Sequence, residues 1–379
     1  MNKEMKNISI IGIGRLGLCM ALCLEKAGFN VLGYDVNTSY LQKIKNKTLV
    51  SNEPRVSEML SKSQNLNVTE NFSEVVNFSD TLFVSVPTPL SGNDRFYDHT
   101  ILNNVLYELN NMKIKNKHVV IVCTVLPGYI NKIGKFLLSD CVNTTLNYNP
   151  EFIAQGDIIN GILNPDMILI GQDTNESGEI LEFIYKQIHY VTNDNDIDFK
   201  VCRMSPESAE ITKLAVNCYV TTKIVYSNYI GDLCNKTPGS NKHDVLSAIG
   251  KDSRIGSKCL NYGYSFGGPC FPRDNRALAL YSETVGIEPL LQRTTDKLNK
   301  NHLEIQFQEL LNENREMYEF SDVSYKKNCK VPIIDESAKL LIAKKLANAG
   351  KKVLIKDTKC IIDEIKKEYG NIFEYIMTN

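Results

Sequence analysis

Ile8-Ser9-Ile10-Ile11-Gly12-Ile13-Gly14-Arg15-Leu16-Gly17 is the stretch that decides the architecture. Ile8 to Ile13 is a short apolar run, β-branched and interrupted by glycine. Leu18 to Ala27 reads as a helix, and Gly28 ends it. Asn30 to Gly33 restores a strand, which stops at Asp35. The order is strand, glycine turn, helix, strand, acid. Gly12 permits the tight turn, Gly14 the close approach of a pyrophosphate, and Gly17 close packing of helix on strand. The helix start offers unsatisfied N–H groups and a positive dipole end to phosphates. Asp35 follows at about the 20-residue spacing of a ribose-binding acid. A carboxylate there accepts from a 2′-hydroxyl and repels a 2′-phosphate, so NAD is favoured over NADP. Any loop can mimic a bare glycine triplet; the flanking strands and the acid separate this one from a loop.

Beyond this stretch the alternation continues. Asp80 to Val86 reads as a strand ending in Pro87-Thr88-Pro89, and a helix follows near Ile101 to Met112. His118 to Cys123 is a strand ending in Thr124. Another helix precedes a strand near Thr144 to Tyr148. Strands alternating with helices imply a doubly wound parallel sheet, whose ligands sit beyond the carboxyl ends of the strands. Thr88, Thr124 and Glu151 stand just past such ends. Their bland reading is as turn and cap residues.

The bulk numbers set limits. A chain of 379 residues suggests two or three domains, and 43% apolar residues allow packed cores throughout. With 43 basic and 44 acidic residues, the net charge of -1 gives no electrostatic argument for nucleic acid or an anionic membrane. No run of about 18 apolar residues occurs, so no membrane span is expected. Met1 to Ser9 is polar and leads into a strand, so no secretory leader is expected there. The 11 cysteines are scattered without a C-x-x-C pair, and the five histidines form no metal motif. Neither a metal site nor a disulfide framework is expected, and a reducing, cytoplasmic setting is.

The second half carries chemistry. Pro206 to Cys234 has few breakers and suits one long helix, on which Lys213 and Asn217 share a face. Together they suit a hydroxyl or a developing oxyanion; alone, such a pair is more often a solvated face. Asn261 to Asp274, NYGYSFGGPCFPRD, is more informative. Two glycines and a proline force an irregular backbone before Cys270, and Arg273 and Asp274 follow. A thiolate is favoured at such a turn near a helix start. The alternative is one more inert cysteine among eleven.

At these residues the chain resembles the UDP-glucose/GDP-mannose dehydrogenase family, most of all its UDP-glucose 6-dehydrogenase branch. The matches run in order. They are the glycine fingerprint with Asp35, Ser85 to Pro89, Cys123-Thr124-Val125, and Asn149-Pro150-Glu151-Phe152. Next come Glu210 with Lys213 and Asn217, then Asp252 to Gly256, then Phe266 to Asp274. The resemblance implies two NAD-dependent oxidations of the carbon-6 hydroxyl of a nucleotide sugar, with UDP-glucose to UDP-glucuronate favoured. Cys270 would form a thiohemiacetal and then a thioester. Lys213 would serve as acid–base partner or clamp on the carbon-6 oxygen, and Asn217 would donate to it. Asp274 and Thr124 would hold a water, and Glu151 would activate water for hydrolysis. The cofactor would contact Gly12, Gly14, Arg15, Leu16, Gly17, Asp35, Pro87, Thr88, Thr124 and Arg273. The sugar nucleotide would contact Glu151, Phe152, Lys213, Asn217, Arg254, Leu260, Tyr264, Phe266, Gly267 and Lys326. Arg254 would reach a neighbouring subunit, implying a homodimer built on the long helix.

The expected fold is α/β in three parts: a Rossmann-like doubly wound parallel sheet over 1–200, a central all-α domain with a long helix over 201–300, and a shortened α/β domain over 301–379. Gln155 stands where the family usually has a second glutamate, and Arg273 where it has lysine. Asp335 replaces the arginine expected before Glu336-Ser337, and few residues follow Asp357. Rival readings are a one-step β-hydroxyacid-type dehydrogenase, which needs no cysteine, and an inactive NAD-binding scaffold. A short-chain dehydrogenase reading of Tyr219 and Lys223 requires a differently spaced glycine loop.

Overall fold

A computed structural model of the chain describes residues 6–90, 97–153, 155–190, 200–327, 329 and 331–378. The first residues of the polar segment Met1 to Ser9 lie outside these. Contacts divide the chain into two compact units, Met1–Lys213 and Leu214–Asn379.

The first unit begins with β1 (Asn7–Ile11), α1 (Arg15–Lys26) and β2 (Asn30–Tyr34), as the glycine segment predicts. Then come α2 (Thr38–Lys45), α3 (Val56–Lys62), β3 (Leu66–Thr69), α4 (Phe72–Phe78), β4 (Thr81–Val84), α5 (Thr100–Asn111) and β5 (His118–Ile121). A π-helical segment, Tyr129–Gly134, runs into the short α6 (Lys135–Leu137). β6 (Thr145–Tyr148), α7 (Ile158–Leu163), β7 (Ile168–Gly171), α8 (Asn175–Tyr190) and β8 (Val201–Met204) complete the sheet. Its order is β3-β2-β1-β4-β5-β6-β7-β8. β1 pairs in parallel with β2 on one side and β4 on the other, the reversal point at which such sheets bind ligands. One pair departs from the parallel expectation: β6 meets β7 antiparallel, at Tyr148 and Gly171.

Strand alternation sorts β1 between two cores. Ile8 and Ile10 enter the layer with α1, α7 and α8. Ile11 enters the opposite layer with Val75, Leu106 and Val125. Ser9 also points to that second face and donates to the Val75 carbonyl at 2.6 Å, so its buried hydroxyl is satisfied. α1 is buried along Gly17 to Leu24, with Cys19 and Cys23 acting as packing, as read from their helical position. Burying each Leu or Ile of this kind contributes roughly 1.5–3 kcal/mol.

The long helix α9 (Pro206–Asn235) begins in the first unit and runs on into the second. There follow α10 (Lys242–Lys251), α11 (Phe271–Thr284), α12 (Leu290–Asn312), β9 (Met317–Ser321), α13 (Ala338–Asn348), β10 (Lys352–Thr358), α14 (Lys359–Tyr369) and β11 (Glu374–Thr378). The residues beyond Asp357 thus add one helix and one strand. The result is a three-stranded parallel sheet, order β11-β10-β9. Tyr318 and Phe320, two apart on β9, enter one core with Phe307 of α12, Leu340 and Ile342 of α13 and Ile355 of β10.

Candidate active site

In the first unit the three glycines of the turn meet different surroundings. Gly12 sits at φ +91°, and a Cβ there would lie 2.4 Å from the Ser85 carbonyl oxygen. Its N–H donates to the Tyr34 carbonyl at 2.8 Å, closing the turn against β2. A Cβ on Gly17 would lie 2.1 Å from the Gly12 oxygen. Gly14, by contrast, has an ordinary φ of -61°, and a Cβ there would meet nothing within 4 Å. The chain itself makes no demand at this position. The open space lies where α1 starts, with no side chain capping it, which suits a pyrophosphate. Arg15 is exposed and donates to Gln155, and Leu16 is half-buried against the core. Asp35 stands just past β2 and accepts from the Asn37 N–H at 3.0 Å. Pro87 is exposed past β4. Thr88 is buried, and its hydroxyl donates to the Thr124 carbonyl at 3.0 Å, tying the ends of β4 and β5.

Past β6 the same unit holds a second cluster. The Lys213 ammonium donates to the Glu151 carbonyl at 2.7 Å and lies 4.7 Å from the Phe152 ring centroid. Tyr185 of α8, also buried, turns its hydroxyl to two acceptors, Glu151 Oε1 at 2.8 Å and Asn149 Oδ1 at 2.6 Å. Burial pushes the Glu151 carboxyl above its ordinary value, while the Tyr185 bond and the Lys213 charge pull it down. One helical turn before Lys213, Glu210 is fully buried and accepts from the N–H groups of Gly128 at 2.5 Å and Ile130 at 2.8 Å. Burial pushes its carboxyl up to about 7.

In the second unit Asn217, on α9, donates to Asp274 Oδ2 at 2.6 Å, and Cys218 donates to the Asp274 carbonyl at 3.6 Å. Asp274 is 1% exposed and lies in the first turn of α11, where its N–H closes on the Cys270 carbonyl at 2.8 Å. Cys270 is the N-cap residue of α11 and half-buried, so its thiol stands at a helix amino end, as the sequence suggested. Arg273 is half-buried in the same first turn. The loop before it is held from afar. The Gly268 N–H, at φ +87°, donates to the Asp335 carbonyl at 2.8 Å. A Cβ on Gly267 would lie 2.1 Å from the Glu336 oxygen, and one on Gly268 would lie 2.4 Å from the Tyr325 ring. Arg276 pairs with both oxygens of Glu336, at 2.7 and 2.9 Å.

The remaining expected contacts are spread along this unit. Leu260 and Phe266 are buried, while Tyr264 is exposed with the Lys339 ammonium 5.5 Å from its ring centroid. Lys326 is half-buried beside Tyr325. Arg254 is 85% exposed and pairs with Asp252, two residues away. Tyr185 and Asp335, whose partners lie far along the chain, carry no role legible in the sequence, and Asn149 and Glu210 stand there only as members of motifs.

Residues 6–189 match the NAD binding domain model of the UDP-glucose/GDP-mannose dehydrogenase family, and residues 207–301 match its central domain. The chain is 32% identical over 300 residues to a UDP-glucose 6-dehydrogenase of Rickettsia typhi, covering 78% of this chain and 67% of that one. It is 31% identical over 292 residues to the UDP-glucose 6-dehydrogenase TuaD of Bacillus subtilis, covering 74% and 60%. In fold it is similar to a UDP-glucose dehydrogenase from Pyrobaculum islandicum, with a TM-score of 0.87 at 24% identity over 100% of this chain and 88% of that one.

Proposed function

Since the chain belongs to the UDP-glucose/GDP-mannose dehydrogenase family, whose members are NAD-dependent nucleotide-sugar dehydrogenases, we propose that it oxidises the carbon-6 hydroxyl of UDP-glucose to a carboxylate in two steps at Cys270. NAD, when bound, accepts the hydride in each oxidation. Lys213 steadies the carbon-6 oxygen as its proton leaves. The Cys270 thiolate adds to the aldehyde carbon, giving a thiohemiacetal. Loss of the second hydride leaves a thioester. Water, activated by Glu151, adds to that carbonyl and expels the thiolate, releasing the acid.

The observation that carries this reading is Cys270 at the amino end of α11 with Asp274 one turn on, buried and bonded to Asn217. A helix start favours a thiolate. The raised Glu151 carboxyl sets the sign of the pH dependence: a base must be ionised, so hydrolysis quickens as pH rises through its raised value. The same family reading makes Arg254 a residue that reaches a partner's sugar site. A homodimer built on α9 is supported by Tyr219, Tyr226, Tyr229 and Leu233. These recur at spacings of seven, three and four and are 65%, 49%, 54% and 54% exposed. The scattered cysteines fit work in a reducing, cytoplasmic compartment.

The test is to mix the protein with excess NAD and limiting UDP-glucose, and to count NADH per sugar beside Cys270→Ser. Two NADH per sugar, with turnover lost in the variant, is expected. One NADH per sugar, indifferent to the substitution, would remove the thioester route. None from UDP-glucose but two from GDP-mannose would move the substrate and keep the chemistry.

A further inference from the structure

The loop from Leu260 to Gly268 is held by side chains to which the proposed chemistry gives no part. Asn299 of α12 grips Phe266 by both backbone groups: its Oδ1 accepts the Phe266 N–H at 2.9 Å, and its Nδ2 donates to the Phe266 carbonyl at 2.9 Å. Its own carbonyl accepts from the Ser265 hydroxyl at 2.7 Å. His302, one turn further and 3% exposed, has Nε2 2.7 Å from the Gly263 carbonyl and Nδ1 2.7 Å from the Asp232 carboxylate. Gln306 donates to the same Gly263 carbonyl at 3.1 Å. Asn299, His302 and Gln306 are three and four residues apart, so they form one face of α12.

α9 holds the loop from a second helix. Asn228, 1% exposed, accepts the Gly263 N–H at 2.9 Å and donates to the Tyr264 carbonyl at 3.3 Å. Tyr262 donates to Asp232 at 3.0 Å, which links the loop to the histidine's carboxylate. Closing a loop needs only packing. Here amide and imidazole groups of two helices fix the backbone of Gly263, Tyr264 and Phe266. Leaving any one of these buried groups unpaired forfeits its hydrogen bond without the compensation water would give. That is how a binding backbone is held to a fraction of an ångström.

We infer that Asn299 and His302 are positioning residues for nucleotide-sugar binding, which set the backbone of Gly263 and Phe266 where the loop meets its substrate. The inference rests on the reading of Leu260, Tyr264, Phe266 and Gly267 in this loop as sugar-nucleotide contacts. The effect belongs in KM, because the thiol end of the loop is held separately, by the Gly268 N–H on Asp335.

Three variants test it: H302Q, H302N and N299D. A glutamine amide reproduces the Nε2 donor and keeps the bond to Gly263. An asparagine amide reproduces Nδ1, keeps Asp232 and loses Gly263. N299D keeps size but faces the Phe266 carbonyl with no donor. Hydrogen–deuterium exchange of the segment 261–266, without any ligand, should quicken in H302N and stay near wild type in H302Q. Equal exchange in the two, fast or slow, overturns the inference. With UDP-glucose as the probe, KM should rise roughly tenfold in H302N and N299D, with kcat within about twofold of wild type. A fall in kcat at unchanged KM overturns it equally. If wild type does not oxidise UDP-glucose, the substrate reading fails and the exchange measurement still decides the role of the two residues.

Discussion

The two glycine-rich turns, Gly12 to Gly17 in the first unit and Gly263 to Gly268 in the second, look alike in sequence, yet their glycines answer to different neighbours. In the first turn one clash is local and the other is not: Gly17 abuts the Gly12 oxygen, five residues back in the chain. Gly12 abuts Ser85, at the neighbouring strand end, and Gly14 abuts nothing in the protein. In the second turn the crowding comes from far downstream, from Glu336 and the Tyr325 ring. One turn is closed in part by its own segment and stays open at Gly14 for a ligand. The other takes its shape from a distant segment that folds against it.

Four substitutions test that difference. Gly17→Ala forces a Cβ against the backbone within the fingerprint itself, so denaturant unfolding should show a loss of roughly 3 kcal/mol. A loss under about 0.5 kcal/mol would mean the helix slides freely and the turn is not locally built. Gly267→Ala pushes on the Glu336 carbonyl. It should lower kcat by roughly 30-fold, about 2 kcal/mol, while the KM for NAD holds. An equal rise in the KM for NAD would show that the second turn is not separable from the first. Gly14→Ala meets no protein atom. Its unfolding midpoint should match wild type while the KM for NAD rises about tenfold; an unchanged KM would deny that a pyrophosphate lies there. Glu336→Gln weakens the pairing with Arg276, itself partly exposed, so a kcat change of about two- to threefold is expected. Loss of all turnover would make that pair part of the chemistry itself.

The same contrast explains what the sequence disclosed. β1, α1 and β2 were legible because each rests on short-range signals: β-branched runs, glycines of required geometry and an acid at fixed spacing. The long helix α9 was legible from its lack of breakers. The antiparallel meeting of β6 and β7 was not, since a single pairing across Tyr148 and Gly171 leaves no local pattern. Cys270 stood out through its glycines and its family motif, and the helix start beside it follows from Pro272 in the first turn. Tyr185 behind Glu151, and Asn299 and His302 under the loop, left no sequence signal, and the motif that held Glu210 said nothing of its partner Gly128. Each acts on a partner at least 30 residues away, and a buried polar residue on a helix looks in sequence like any exposed one.

The bond from the Gly268 N–H to the Asp335 carbonyl also has a genetic meaning. A premature stop ahead of codon 335 deletes the backbone partner of the cysteine turn while leaving every codon around Cys270 intact. Alleles of that kind would score as wild type in any survey confined to the motif, although the turn has lost the contact that shapes it.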